Sequence, residues 1–494
     1  MSYYTAPKPG SKIIIVGGGA FGLSTAYALA LKKKYDIWVF ERAASIPAPD
    51  AASTDISKAV RMDYGNQALY LRLMLEALPL WDQWNKERAT QGQIPVYHET
   101  GVLIFGRHGQ FSQYEQESMR LIREAGYGHV LQTFDNPQSI IKRFPYFKDA
   151  VANGYDTAYL NTRGGWCNSS EAIKHVYQKC LDLGVQFVLG PQEGSLNKLE
   201  MTTDNKKVVG IRTKSGQVHL ADKVVLATGA WTSSLLAFGT RHHHPAEQQQ
   251  QSTSSGLTAT GQIVVQFKPA KDDPAFTQRS SQQEAMPVWL ADSSRTGFYG
   301  FPMHPENGLL KVALHGLGYL NPAAGDENVK PATAVQQQPV SVPRTQLTHP
   351  TDTIPVKALH QFRSFLADFF PATSAMDVHY ARVCWYSDST DSSFLVAPHP
   401  SYEDLVIASG DSGHGMKFLP IIGFKICQVI EGQENDYTRA WQWRDSSSTT
   451  GLNFDGMRPT NHQGTPAISI MDDPNDTTTH MATSNDLKAP KARL

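Results

Sequence analysis

One short segment restricts the fold of this chain more than any other: Gly17-Gly18-Gly19-Ala20-Phe21-Gly22, set between an apolar run and an Ala/Leu-rich stretch. It satisfies GxGxxG at Gly17, Gly19 and Gly22. Ile13-Ile14-Ile15-Val16 ahead of it reads as a buried strand, residues 20–31 as a helix, and residues 35–40 as a second strand running into Glu41. In such a turn the first glycine permits the sharp strand-to-helix reversal. The second lets the backbone approach a pyrophosphate, and the third lets the helix sit close on the sheet. Phosphate then rests at the helix N-terminus, where free N–H groups and the dipole favour negative charge. Glu41, 19 residues beyond Gly22, is placed to hydrogen-bond a ribose hydroxyl. Strand, glycines, helix, strand and acid in register predict a dinucleotide site, but do not distinguish FAD from NAD.

Two later segments repeat the strand-to-glycine pattern. Lys223-Val224-Val225-Leu226-Ala227 leads into Thr228-Gly229-Ala230-Trp231, and Leu405-Val406-Ile407-Ala408 into Ser409-Gly410-Asp411-Ser412-Gly413-His414-Gly415. Three such strands spread over about 400 residues predict one discontinuous dinucleotide domain interrupted by a second domain. A chain of 494 residues is long enough for two or three domains. The expected division is 1–95, 155–236 and 385–440 for the first domain, 96–154 and 237–384 for the second, and a flexible tail over 441–494. Residues 241–256, with His242-His243-His244 and a run of glutamines, and residues 321–355, rich in Pro, Thr and Gln, read as surface insertions. A metal site at the triple histidine is not expected on so polar a loop, and no internal repeat is present.

Composition excludes some partners. Lys plus Arg is 45 against 46 Asp plus Glu, so there is no electrostatic reason to expect nucleic acid or an anionic membrane. No apolar run reaches the roughly 18 residues needed to cross a bilayer. The strand-like run begins too early to leave room for a cleaved signal peptide, and Cys167, Cys180, Cys384 and Cys427 form no disulfide pattern, so an intracellular location is expected. The closing Ala492-Arg493-Leu494 is a chemical variant of the Ser-Lys-Leu address, small, basic, then leucine, which predicts peroxisomal import through its receptor.

Four further motifs carry a family resemblance. They are Cys384-Trp385-Tyr386-Ser387-Asp388 followed by Phe394-Leu395-Val396 and His399-Pro400, then Ser412-Gly413-His414-Gly415-Met416-Lys417-Phe418. The others are Tyr299-Gly300-Phe301-Pro302 leading to Lys311 and His315, and Asp55-Ile56-Ser57-Lys58-Ala59-Val60-Arg61-Met62-Asp63-Tyr64-Gly65. Together with the glycine loop, they make the chain resemble the monomeric sarcosine oxidase family, which includes fungal fructosyl amino acid oxidases (amadoriases) and the pipecolate and saccharopine oxidases. The resemblance runs from about Lys12 to about Gly432, apart from the two insertions.

It implies an α/β fold class: a discontinuous Rossmann-like FAD-binding domain of the glutathione-reductase/p-hydroxybenzoate-hydroxylase type, with an interleaved α+β substrate domain on a mixed or antiparallel sheet. It implies FAD held covalently, the Cys384 sulfur joined to the 8α-methyl carbon as a thioether. It implies cofactor contacts from Gly17, Gly19, Phe21, Gly22, Glu41, Arg42, Ser53, Lys58, Gly229, Trp231, Ser412, Gly413, Gly415, Met416 and Lys417. Met416 stands where the family usually has Phe, an apolar replacement. Lys417 is expected to place positive charge near the flavin pyrimidine. Lys311 matches the lysine at which oxygen is activated, a role that suits a fixed ammonium beside developing negative charge. Arg61 matches an arginine that clamps the substrate carboxylate, which its planar fork fits, and Lys58 stands where sarcosine oxidases have another arginine.

Two positions bear on the amine. His315, on the same strand face as Lys311 if the segment alternates, matches a histidine of sarcosine-type enzymes, where fructosyl amino acid oxidases tend to have glutamate. Tyr386 matches an aromatic ring of the sarcosine type. The expected reaction is therefore oxidation of a secondary, N-methyl or N-alkyl, amino acid to an imine, with O2 reduced to hydrogen peroxide by a monomeric enzyme that needs no dedicated base. Captured intramolecularly, that imine would allow a cyclisation of the kind used in fungal biosynthesis. Deglycation of a fructosyl amino acid and a pipecolate- or saccharopine-type oxidation are the alternatives within the family. A flavin scaffold without turnover is the alternative outside it.

Overall fold

The strand-to-glycine segments lie side by side. In the computed structural model, which describes residues 4–239, 256–270, 286–323, 340–444 and 468–490, Lys12–Val16 runs parallel between Asp36–Glu41 and Lys223–Leu226. Leu405–Ser409 adds parallel beyond Lys223–Leu226, and Gln186–Leu189 beyond Asp36–Glu41. The antiparallel edge strand Leu395–Pro398 completes six strands. Ile13, Ile14 and Ile15 are all fully buried, as a central parallel strand covered on both faces requires. Ile13 and Ile15 face the helices Ala20–Leu31, Ser169–Asp182 and Leu419–Ile430, while Ile14 and Val16 face Leu199, Val208 and Ile211. Two of those helices touch backbone to backbone. A Cβ at Gly423 would lie 1.9 Å from the Ser24 carbonyl oxygen, and Ser24 Oγ donates to Leu419 O and accepts from Gly423 N.

Among the described residues the second unit is a nine-stranded, largely antiparallel sheet in which two pairs run parallel. Its long strands Leu257–Phe267, Leu310–Leu320 and Val378–Ser389 pair along most of their length. Period-two alternation divides their side chains between two faces. Ile263, Val265, Val312, Ala381 and Trp385 face a core closed by the helix Val356–Phe369. That helix places Phe362, Phe365 and Phe369 on one stripe, and Phe365 stacks on Phe298 at 4.0 Å between ring centroids. The opposite face carries Lys311, Ala313, Cys384 and Tyr386 towards the first unit.

The expected domain limits shift in three places. Thr157–Asn161 pairs with Val102–Gly106 and Leu131–Phe134, so it belongs to the large sheet rather than with residues 162–236. Val378–Ser389 is continuous across the expected 384/385 limit. Tyr97–His98 joins Lys58–Val60 and Gly165–Cys167 in a small sheet that bridges both units.

The tail also departs from expectation. Ser469–Ile470 pairs parallel with Tyr319 and Leu320, Val378 N donates to Leu487 O at 2.8 Å, and Ala489 N donates to Asp377 at 2.6 Å. Its polar residues close their own turns, Asp476 accepting from Thr478 and Asp473 from Asn475, while Met471 and Ala482 are buried. Polarity there serves turns rather than solvation. Residues 340–355 pack likewise, with Arg344 paired to Asp352 and Asp472. The triple histidine and Ala492-Arg493-Leu494 lie outside the described residues. Among the described residues no helix is long and apolar enough to cross a membrane.

Candidate active site

The glycine loop opens into a cavity of about 450 Å³, within the range of small-molecule sites. Gly17, Gly19, Phe21, Glu41, Arg42, Ser53, Lys58, Gly229, Trp231, Tyr386, Gly413, Gly415 and Met416 all line it. The glycines have different reasons to be there. A Cβ at Gly17 would meet Ala227 O at 2.3 Å, and one at Gly22 would meet Gly17 O at 1.8 Å, so the turn itself excludes side chains. Around Gly19 the protein leaves room: the nearest atom to a Cβ is Ser53 Oγ at 3.6 Å. That position faces the cavity, and the helix starting at Ala20 has neither a side-chain cap nor an acid in its first turn. Its free N–H groups therefore suit a phosphate. Glu41 accepts from Gly18 N and Ala43 N, both at 2.8 Å, which fixes the carboxylate at the cavity wall. Arg42 stacks on Trp231 at 4.1 Å and pairs with Asp50. A dinucleotide fits this lining.

Gly22 and Ser412 are not on the cavity wall. Gly22 packs against the turn, and Ser412, fully buried, bonds Ser389 N and Gly410 O instead. Gly413, at φ +76°, is where the backbone passes so close to the Tyr386 ring that a Cβ would lie 2.1 Å from it. Asp411, which the motifs did not single out, lines the same end. Burial pushes its carboxyl up to about 6, against hydrogen bonds from Ser387 N and Gly413 N.

Below that end lies a buried charge cluster. Lys311 Nζ, 1 % exposed, donates to Asp55 Oδ2 at 2.6 Å and to the carbonyl oxygen of Ser57. Lys58 and Arg382 reach the same Oδ2 at 3.4 and 3.8 Å. Lys58 Nζ is also 3.8 Å from Cys384 Sγ. Burial works against the Asp55 carboxylate, but Lys311, Lys58 and Arg382 outweigh it and hold the group well below the usual range. Lys311 moves the other way: burial first, then repulsion from Lys58, lowers it to about 8 despite Asp55. One carboxylate cannot compensate three cations. Burial likewise opposes the Lys58 ammonium, yet Cys384 and Asp55 keep it above its ordinary value.

A second cavity of about 60 Å³ shares Lys58, Tyr386, Gly413 and Met416 with the first and continues to Arg61, Tyr299, His315 and Lys417. Arg61 donates to Asp63 O and to Tyr114 Oη, and its guanidinium lies 5.4 Å from the Tyr64 ring. Lys417 Nζ donates to Tyr64 Oη at 3.1 Å, which is also 3.2 Å from His414 Nδ1. Asp63 lies behind this group and accepts from Tyr159 and Asn161, and burial pushes its carboxyl up. Among the described residues no Asp or Glu side chain is on the lining of this cavity. The structure thus brings Lys58, Arg61, His315, Tyr386 and Lys417 to one pocket. It sets Lys311 and Cys384 beside that pocket rather than on its wall. Asp55 and Tyr64, inside a quoted motif but given no role there, complete the site with Tyr114 and Arg382, which no local sequence signal marks. Among the described residues no three His, Cys, Asp or Glu side chains form a metal cage.

Comparison with known proteins gives three findings. A family model described as FAD dependent oxidoreductase, DAO, matches residues 12–428. L-saccharopine oxidase of Schizosaccharomyces pombe is 29 % identical over 90 % of this chain and 96 % of its own, and a monomeric sarcosine oxidase of a Bacillus species is 25 % identical over 84 % and 91 %. A modified fructosyl peptide oxidase from Aspergillus nidulans, solved in complex with FSA, superposes with a TM-score of 0.75 at 25 % identity, covering 94 % of this chain and 98 % of that one.

Proposed function

The chain belongs to the DAO family of FAD-dependent oxidoreductases, and from that premise we propose that it oxidises the carbon–nitrogen bond of a secondary, N-methyl or N-alkyl, amino acid. One observation carries this reading. The small pocket that opens off the cofactor cavity is ringed by Lys58, Arg61, His315 and Lys417 and, among the described residues, has no acidic side chain on its wall. Such a wall attracts a carboxylate and offers no carboxylate to pair with an amine in its ammonium form. Arg61 supplies the fork for the carboxylate, and Tyr114 and Asp63 O fix its aim. Tyr386 and Tyr299 form aromatic walls around the carbon that reacts. Deprotonated binding and orientation then carry much of the rate, without a dedicated base.

FAD, when bound, supplies a two-electron acceptor that O2 regenerates with release of hydrogen peroxide. Lys311 lies on the sheet face turned towards the cofactor cavity, and its ammonium would favour the negative charge that develops on oxygen. Lys58 Nζ lies 3.8 Å from Cys384 Sγ, the atom that would attach the flavin. Replacing Cys384 with alanine should leave the flavin extractable. Acid precipitation of wild type is expected to keep the colour in the pellet, and of Cys384→Ala to release it. Colour released from both would end the thioether assignment while leaving FAD binding intact.

The substrate reading is tested by a peroxide assay over N-methyl amino acids, larger secondary amino acids and fructosyl amino acids. N-alkyl amino acids should turn over fastest. Arg61→Gln should lower kcat/KM by about 10- to 150-fold, the loss of a charge-assisted contact worth about 1.5–3 kcal/mol, and leave amines without a carboxylate unaffected. Turnover confined to fructosyl substrates would overturn the reading. The similarity to L-saccharopine oxidase favours a second reading, a larger secondary amino acid, and the same panel separates the two.

A further inference from the structure

Asp55 opens the motif that contains Lys58 and Arg61, yet nothing in the local sequence marks it as more than a strand-edge acid. We propose that Asp55 is a positioning residue of the oxygen-dependent step: it aims the Lys311 ammonium and, by dividing one charge among three cations, leaves that ammonium only partly compensated. The assignment rests on the amine oxidase reading for the step it serves, and on geometry for the contact itself.

The carboxylate is held from both ends. Its Oδ1 accepts from Ile56 N at 2.8 Å, which turns Oδ2 towards the cations. Its main-chain oxygen accepts from Ser169 Oγ and Ser170 Oγ, both at 2.9 Å, at the start of the helix Ser169–Asp182. The residue thereby ties the Leu310–Leu320 strand, through Lys311, to the first unit. Lys311 has a second anchor in Ser57 O and lies 4.8 Å from the Phe301 ring.

Every group facing this lysine bears on its charge. From residues 55–58 come Asp55 and Lys58, and from the strand Val378–Ser389 come Arg382 and Cys384. Beyond them, burial keeps His304 below its ordinary value and pushes Cys167 up to about 12, so both are neutral in the working range. Asp55 is therefore the carboxylate in contact with Lys311, and it is shared. A fully matched pair would lock the lysine in its charged form over the whole working range. The shared carboxylate instead lets the charge be lost as pH rises through about 8.

The test compares wild type, Asp55→Asn, Asp55→Glu, Lys311→Met and Asp55→Asn/Lys311→Met. The flavin is reduced photochemically, without any amine, and mixed with aerated buffer across the pH range. The wild-type rate should fall as pH rises through about 8. Removing the negative charge disfavours the ammonium, so the Asp55→Asn midpoint should lie lower by roughly one to three pH units. Asp55→Glu should keep the wild-type midpoint. Thermal unfolding of the flavin-free proteins gives a second readout. The double variant should unfold at a higher temperature than Asp55→Asn, because Lys311→Met removes a buried amine left without its partner.

An unchanged midpoint in Asp55→Asn overturns the proposal. Additive effects in the unfolding series overturn it too, as does failure of both Asp55→Asn and the double variant to fold, since Asp55 is then structural only. If Asp55→Asn alone fails to fold and the double variant folds, the coupling is supported. A shifted midpoint in a protein that no amine reduces would sink the proposed function and leave the role of Asp55 standing.

Discussion

Lys311→Met is expected to slow the reaction of the reduced flavoprotein with O2 by about 10²- to 10³-fold, the usual cost of removing one fixed electrostatic group from a developing anion. Reduction by the amine should change by less than about tenfold. The two half-reactions separate because Lys311 is not on the wall of the amine pocket; it lies behind it, on Asp55 and Ser57 O. Methionine fills nearly the same volume, and Asp55 keeps Lys58 and Arg382 as partners, so the site should stay assembled. Anaerobic reduction followed by mixing with oxygen, in a stopped-flow instrument, measures each step alone. Equal slowing of both would remove the oxygen-activation role.

The second large effect is expected at the glycine loop. Gly22→Ala places a Cβ 1.8 Å from Gly17 O, a backbone atom that cannot rotate away, so the helix must lift from the sheet. Overpacking of this kind costs about 1–3 kcal/mol, and the displaced helix start should carry FAD affinity down with stability. Gly19→Ala provides the contrast. With nothing nearer than 3.6 Å, its Cβ should cost the flavin-free protein less than about 1 kcal/mol, yet it enters the space a pyrophosphate needs. Both variants should be purified pale, but only Gly22→Ala should lose unfolding temperature without flavin. A normal unfolding temperature for Gly22→Ala would mean that the turn relaxes where the packing leaves no room.

The contrast between these glycines shows what can be read from a sequence. Turn, helix and second strand are local, and so is the alternation that puts Cys384 beside Tyr386 on one face, which is why those residues were legible. Asp55 and Lys311 meet across 256 positions, and Arg382 reaches Pro49 O across 333, so no periodicity announces them. Thr157–Asn161 has the form of a strand in either sheet; only its pairing with Val102–Gly106 decides. Residues 468–490 misled in the opposite direction. Their Asp and Thr content has the composition of a solvated tail, and only the turn bonds reveal that those side chains are already used.

That last segment sets the timing of assembly. The ribosome makes a chain from one end, and the parallel strand that Ser469–Ile470 adds beside Tyr319 and Leu320 emerges well after the strand bearing Lys311 and His315. Leu405–Ser409 also arrives late, about 180 residues after the Lys223–Leu226 strand it must join. The first sheet lacks a strand until Leu405–Ser409 has emerged, and the second until Ser469–Ile470 has. A nascent chain stalled short of Leu405–Ser409 therefore lacks the cavity wall that Ala408, Ser409 and Asp411 supply.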